Sequence, residues 1–276
     1  MSHTKITALN IFPIKSCRGI ALDLALLTPT GLEHDRNWLV VNEKNRFQTQ
    51  RELPRMSLVK TQIDAAVGAA PSVTLSAHGM PDLAVPATTG GESIGVTIWD
   101  DQCPALDAGD ASAEWLSSFL GKTVRLVSFD ASHRRPCDPE FVGDVAAQSK
   151  FADAFPLMIL SEASLANLNQ RLAAPLPMNR FRPNIVLNGI KAHDEDRIRE
   201  LYSSSVQLRM VKACTRCSIT TTDQATGRVD QEPLRTLKAY RWDPALRGIT
   251  FGQNAIILRG IGAELKVGQE LEIAWV

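Results

Sequence analysis

Alternation at a period of two, broken every few residues by Gly, Pro, Asn or Asp, constrains this chain's fold more than any other feature of it. In "IALDLALL" the residues Ile20, Leu22, Leu24 and Leu26 fall on one face of an extended segment. "NWLVVNEKNRFQTQR" reads as a hairpin, with 38–41 running out, a polar turn over 42–45 and 46–50 returning. "VTLSAHGMPDLAV" repeats the pattern around His78 and Gly79, and "IGVTIWDD" adds a further strand. "RPNIVLNG", "SVQLRMV", "CSITTTD", "FGQNAIILRG" and "QELEIAWV" carry it through the second half, while "GIGAEL" (260–265) reads as a turn.

Helical spacing is confined to three places. "DASAEWLSSFLG" aligns Trp115, Leu116, Phe119 and Leu120 before a Gly121 stop. "SEASLANLNQRLAAP" aligns Leu165, Leu168 and Leu172 behind a Ser161 N-cap, and "PLRTLKAY" carries Pro233 in its first turn. The pattern predicts an α+β, β-rich fold of barrels or sandwiches. A soft boundary at the 110–121 helix divides the chain into 1–120 and 121–276.

The 276 residues carry equal numbers of basic and acidic side chains, so the net charge is zero. A nucleic-acid binder needs a basic excess, and that class has little support here. No stretch approaches the ~20 apolar residues that span a bilayer, and "MSHTKITALNIFPIKS" lacks the apolar core of a signal peptide. Five cysteines at positions 17, 103, 137, 214 and 217 make an odd, scattered set without a disulfide framework. The expectation is a cytoplasmic protein with reduced thiols.

Two of those cysteines, Cys214 and Cys217, form one CxxC in "VKACTRCSITTTDQATG". A structural zinc wants two such pairs, and the missing half would have to come from His133, Cys137, Cys17 or Cys103. A thioredoxin-type couple wants the pair opening a helix, whereas a β-branched run follows Cys217. Two cysteines buried as small hydrophobes is the plainer alternative. No GxxxxGK[ST] occurs. Three loops do suit an anionic ligand: "FPIKSCRG" with Lys15 and Ser16, "GLEHDRNWLV" with Arg36, and "NRFRPNIVL" with Arg182 and Asn184.

In this order, "FPIKSCRG", "HDRNWLVVN", "DAFPLMILSEASLANLN", "RFRPNIVL", "CTRCSITTTDQATG" and "FGQNAI" resemble MOSC-domain proteins that carry a MOSC N-terminal β-barrel domain. The resemblance is to the mitochondrial amidoxime-reducing component and its bacterial counterparts, and it runs from about residue 6 to 276. It implies an N-terminal β-barrel-like domain followed by a MOSC β-barrel. The first strand and the loop of Lys15 and Ser16 are placed to pack with the second half, so sequence and spatial domains need not coincide.

The resemblance also implies a molybdenum cofactor (molybdenum with molybdopterin), with Cys217, the second cysteine of C-x-R-C, as the metal ligand and catalytic residue. Lys15, Ser16, Arg36, Arg182 and Asn184 match positions that hold the pterin and its phosphate. Thr215, Ala154, Phe155 and Asn254 match further cofactor contacts. Where the family has a Thr-Ser pair in a helix-leading loop, this chain has Ala154 and Phe155, which leaves only backbone contacts there.

The implied activity is two-electron reduction of small N-hydroxylated compounds, fed by a separate iron–sulfur, haem or flavin electron-transfer protein. No cysteine follows Cys217 to build an iron–sulfur cluster, and no Gly-rich dinucleotide motif is present. The expected partners include neither nucleic acid nor membrane. Two other readings stay open: a sulfur carrier using a Cys217 persulfide, and a zinc-stabilised module using Cys214 and Cys217.

Overall fold

Most of the alternating segments become short strands in the computed structural model, which describes residues 2–64, 71–88 and 93–276. The first half contains β1 (Ser2–Ile11), β2 (Ile20–Leu22), β3 (Leu24–Thr28), β4 (Gly31–Leu32), β5 (Trp38–Asn42), β6 (Lys60–Asp64), β7 (Ser72–Ser76), β8 (Leu83–Val85), β9 (Ser93–Ile98), β10 (Asp101–Asp107), α1 (Asp110–Leu120) and β11 (Val124–Phe129). The second half continues with α2 (Pro139–Val142), β12 (Leu157–Ser161), α3 (Glu162–Asn169), β13 (Ile185–Asn188), β14 (Ile198–Tyr202) and β15 (Gln207–Thr215). It ends with α4 (Leu234–Arg241), β16 (Trp242–Asp243), β17 (Gly248–Arg259), β18 (Glu264–Lys266) and β19 (Glu270–Trp275). The chain is β-rich α+β, and among the described residues no helix is long and apolar enough to cross a membrane.

Seven strands run β12-β13-β1-β19-β14-β15-β17, and pairing of β17 with β12 closes them into a barrel. The N-terminal strand β1 therefore lies in the second half's barrel, between β13 and β19. Residues two apart point inward, which is why Leu157 and Ile159, Ile185 and Leu187, and Leu271 and Ile273 share one core with Ile6 and Leu9. Each such Leu or Ile contributes about 1.5–3 kcal/mol by leaving water.

The first half builds a four-stranded sheet, β5-β11-β10-β9, beside the hairpin sheet β6-β7-β8. Both faces of β5 are buried. Trp38 and Val40 meet α1 and the hairpin sheet, while Leu39 and Val41 meet Phe47, Val96 and Phe151. Helix α1 buries Trp115, Leu116, Phe119 and Leu120 and stops at Gly121, whose φ of 70° lets its N–H reach the Ser117 carbonyl at 2.8 Å. The Trp115 indole donates to the Pro81 carbonyl at 2.6 Å and ties the helix to the turn before β8. Ser161 caps α3 as expected, accepting from the Ser164 N–H at 3.0 Å, and the helix ends before Leu172.

Three expectations change. Residues 20–27 do not form one face: Asp23 breaks the run, β2 pairs with β1, and β3 pairs with β18 and β4. The new partners shift the phase by one residue, so Ala25 and Leu27 are buried and Leu24 is 42% exposed. The hairpin at 38–50 reverses as expected, with the Asn42 carboxamide oxygen accepting the Lys44 and Arg46 N–H groups at 3.0 Å each. Its returning arm makes only a bridge from Phe47 to Val41, because Arg46 is bridged to Thr97 instead. "CSITTTD" is not a strand: Ser218–Thr221 is a 3-10 turn. Thr220 Oγ1 donates to the Cys217 carbonyl at 3.0 Å and Thr221 Oγ1 to the Ser218 carbonyl at 2.7 Å. These local bonds outcompete a ladder despite the β-branched composition.

The barrel seam generates a prediction. Gly252 on β17 has φ of +81°, and a Cβ there would lie 2.7 Å from the Ile159 carbonyl of β12. Gly252→Ala therefore combines backbone strain with a main-chain clash and costs about 3 kcal/mol. Urea unfolding checks it, and an alanine variant of unchanged midpoint contradicts it.

Candidate functional site

The end of β1, the approach to β5, the approach to β12, the approach to β13 and the end of β15 meet outside the barrel wall. There they enclose a cavity of about 190 Å³. The expected residues Lys15, Ser16, Arg36, Ala154, Phe155, Arg182, Asn184, Thr215, Cys217 and Asn254 all line it. Register explains part of this convergence, since Met158 of β12 and Lys212 of β15 both pair with Asn254 of β17.

The loops hold their shape at some cost. Ser16, Arg36 and Arg182 have φ of 68°, 49° and 55°, in the left-handed region where side chains other than glycine are strained. The Lys15 N–H donates to the Trp38 carbonyl at 2.9 Å and the Arg36 N–H to the Phe12 carbonyl at 3.0 Å, lacing the first loop to the second. Arg182 donates to the Cys17 carbonyl at 2.7 Å. Asn184 is buried between strands: its oxygen accepts the Met158 N–H and its nitrogen donates to the Asn10 carbonyl, each at 3.1 Å. Much of its hydrogen-bonding capacity is thus spent on the fold.

Charge is strongly one-sided. Lys15, Arg36, Arg182, Lys212 and Arg216 line the cavity, against Asp153 as the one lining carboxylate. The Arg36 and Arg182 guanidinium groups both lie over the Phe12 ring, 4.5 and 4.1 Å from its centre. Burial, and then repulsion from Arg36, pulls the Arg182 pKa down to about 9. Burial also lowers that of Lys15, which Asp153 partly offsets through a 2.7 Å ion pair. Asp153 loses hydration, which alone would raise its pKa. Lys15, and then the Trp99 indole bonded at 3.1 Å, reverse that and hold the carboxyl below the usual carboxylate range. Buried Asp35 pairs with Arg36 and accepts the Phe12 N–H at 2.7 Å. The remaining cationic excess favours an anion in the cavity.

The two neighbouring cysteines differ. Cys214 packs against the apolar cluster of Met158, Phe181 and Phe251, and its sulfur accepts from Arg216 at 2.8 Å. The Cys217 thiol has no hydrogen-bond partner among the described residues, while both cysteines line the cavity and are partly exposed. Cys17, Cys103 and Cys137 are buried, with burial pushing their thiols up to about 12, 11 and 11. Among the described residues, no three His, Cys, Asp or Glu side chains group so as to hold a metal ion, and neither His133 nor Cys137 lines the cavity.

Ala154 and Phe155 lead into β12, with α3 only after it, so the loop is strand-leading. Its organiser is Arg135, a residue with no motif of its own. Arg135 is buried and donates to the carbonyls of Lys150, Ala152 and Asp153 at 2.9, 2.6 and 3.3 Å, and doubly to Asp101 at 2.7 and 2.9 Å. Lys15 donates to the next carbonyl, that of Phe151, at 2.8 Å. Lys212 and Arg216 were also missed. Alternation along β15 could have found Lys212, two residues before Cys214.

The two halves match different family models: MOSC N-terminal beta barrel domain over residues 3–123, and MOSC domain over residues 146–272. The architecture is thus that of a two-domain MOSC protein. More narrowly, the chain belongs to the family of the mitochondrial amidoxime-reducing components. It is 37% identical to "Mitochondrial amidoxime-reducing component 1" of Homo sapiens, a match covering 91% of this chain and 78% of that protein. It is 37% identical to "Mitochondrial amidoxime reducing component 2" of Bos taurus (88% and 74% covered). With component 1 of Mus musculus the identity is 38% (86% and 71% covered).

Arg135→Gln removes the positive charge and leaves Asp101 and three loop carbonyls short of a donor, at a cost of about 3 kcal/mol. Arg135→Lys recovers only part, because one ammonium cannot span both sides of the fork. Denaturant unfolding of both variants checks the ranking, and equal stability of all three proteins contradicts it.

Proposed function

We propose that this protein is a molybdenum-cofactor-dependent reductase of N-hydroxylated compounds: hydroxylamines, N-hydroxylated bases and amidoximes. The observation that carries this reading is the unpartnered Cys217 thiol opening onto the same cavity as Lys15, Arg36 and Arg182. The names of the relatives support the substrate class. The residues fit the group. A thiolate suits a soft metal, three clustered cations suit a phosphate, and the Asn254 carboxamide, without a side-chain partner among the described residues, is free for a pterin edge.

When bound, the cofactor supplies the two-electron chemistry by which R–NHOH, two electrons and two protons become R–NH2 and water. The chain's own residues bind and orient. Lys15, Ser16, Arg36 and Arg182 would hold the phosphate end, the last three on left-handed backbone that fixes their directions before binding. Ala154 and Phe155 present main-chain groups from the loop that Arg135 and Lys15 hold. Thr215 and Asn184 complete the lining. Arg216 keeps the Cys214 sulfur engaged, so that Cys217 alone is offered to the metal. The electrons come from a separate iron–sulfur, haem or flavin protein that docks transiently.

A sulfur carrier would use the same thiol as a persulfide, but that role leaves the phosphate-suited group of Lys15, Arg36 and Arg182 unexplained. Activity of cysteine variants tests the reading. Cys217→Ser replaces the ligand by a hydroxyl that stays protonated, so reductase activity is lost while part of the cofactor stays bound through its phosphate end. Cys214→Ser keeps activity within about tenfold of wild type, the scale of a packing and positioning loss. Equal loss of metal from both variants contradicts the single-ligand site. With NADH as sole donor the isolated protein shows no turnover, and adding an electron-transfer protein or an artificial low-potential donor restores it. Sustained NADH-driven turnover by the chain alone contradicts the need for a partner.

A further inference from the structure

A second cavity, of about 520 Å³, lies between the first half's sheet and the segment leading to β12, and no residue of the first cavity lines it. Its wall includes Asn37, Phe129, His133, Arg134, Gln148 and Lys150. The volume is in the range of small-molecule sites. The wall combines an apolar aromatic side, Phe129 with the edge of Trp38, and a polar cationic side. Among the described residues no Asp or Glu lines it.

Among the described residues neither Lys150 nor Arg134 forms an ion pair. Lys150 donates to the neutral Asn37 carboxamide, and among the described residues no carboxylate lies within ion-pair distance of it. The carboxylates that face it electrostatically are Asp35 and Glu33. Asp35 is already bound to Arg36, and Glu33 leans on His34 at 3.7 Å. Burial pulls the Lys150 pKa below the ordinary lysine value, so its charge is held there against a desolvation cost. Arg134 is exposed at the rim and forms no ion pair among the described residues. Neighbours along the chain point the other way: Ser149 and Phe151 are buried, and Arg36 lines the first cavity. The Phe151 N–H donates to the Arg36 carbonyl at 3.3 Å, so one pair of segments walls both cavities.

We infer that this second cavity binds a small organic anion, a phosphate ester or carboxylate on a flat apolar body. Lys150 and Arg134 meet the charge, and the body lies against Phe129. The site is distinct from the cofactor cavity and can be filled at the same time.

The test uses the cofactor-loaded protein and phenyl phosphate as probe, with inorganic phosphate as the comparison. Calorimetric titration at physiological salt gives one phenyl phosphate site per chain, and inorganic phosphate binds about tenfold or more weakly because it lacks the apolar body. Lys150→Met keeps the stem, removes the charge and weakens phenyl phosphate at least about tenfold without changing cofactor content. Labelling of wild-type protein with acetic anhydride, read by mass spectrometry, gives the same answer without a variant: phenyl phosphate protects Lys150. Absence of saturable binding up to about 10 mM, equal affinity in Lys150→Met, or protection of Lys15 in place of Lys150 would each overturn the site.

Discussion

Closure of the barrel between β12 and β17 is the constraint on which everything else here depends. Three residue pairs, Leu157 with Ala255, Met158 with Asn254 and Ile159 with Gln253, join strands far apart in sequence. That pairing turns a seven-stranded sheet into a cylinder without that exposed edge. It also sets which side chains point outward at one spot on the wall. Met158 and Asn254 face the cavity because Leu157, Ile159 and Ala255 face the core. Loops that leave neighbouring strand ends then meet, although Lys15, Asp153, Arg182 and Cys217 come from four distant stretches of chain. Gly252 belongs to this constraint, since only a residue without a Cβ lets β17 approach the Ile159 carbonyl so closely.

Gathering cations on that wall works against folding, and the structure shows how the opposition is contained. Phe12 lies under both Arg36 and Arg182, Asp35 neutralises one of them, and Asp153 neutralises Lys15. Among the described residues Arg182 has only a carbonyl and an aromatic face as partners, so its charge is the least compensated. One-sided charge of this kind suits an anionic ligand, which would offset the repulsion among the cations. The division of labour between halves follows: the MOSC barrel carries the thiol, while Asp101 and Trp99 of the first half fix the loop facing it.

Local rules made much of the fold legible in advance. Gly121 and Ser161 mark helix ends by chemistry that depends on a few residues only, and the short alternating runs identified most strands. The ordered motifs named ten of the residues that line the cavity, from loops and from strands β15 and β17. What failed depended on partners distant in sequence or on competing local bonds. The phase of β3 was set by β18, more than 200 residues away. The threonines after Cys217 spent their hydroxyls on carbonyls three residues back and turned a β-branched run into a 3-10 turn. Arg135 was invisible because its importance lies in carbonyls that any sequence would supply. Its partner Asp101 opens β10 and belongs to no motif.

In the proposed reductase one thiol and one set of cations serve a single bound group. Elemental analysis together with pterin release, on protein made in a host that synthesises the molybdenum cofactor, tests that most directly. The proposed site predicts molybdenum approaching one per chain, with a pterin released in equal amount. Stoichiometric zinc with neither molybdenum nor pterin would contradict it.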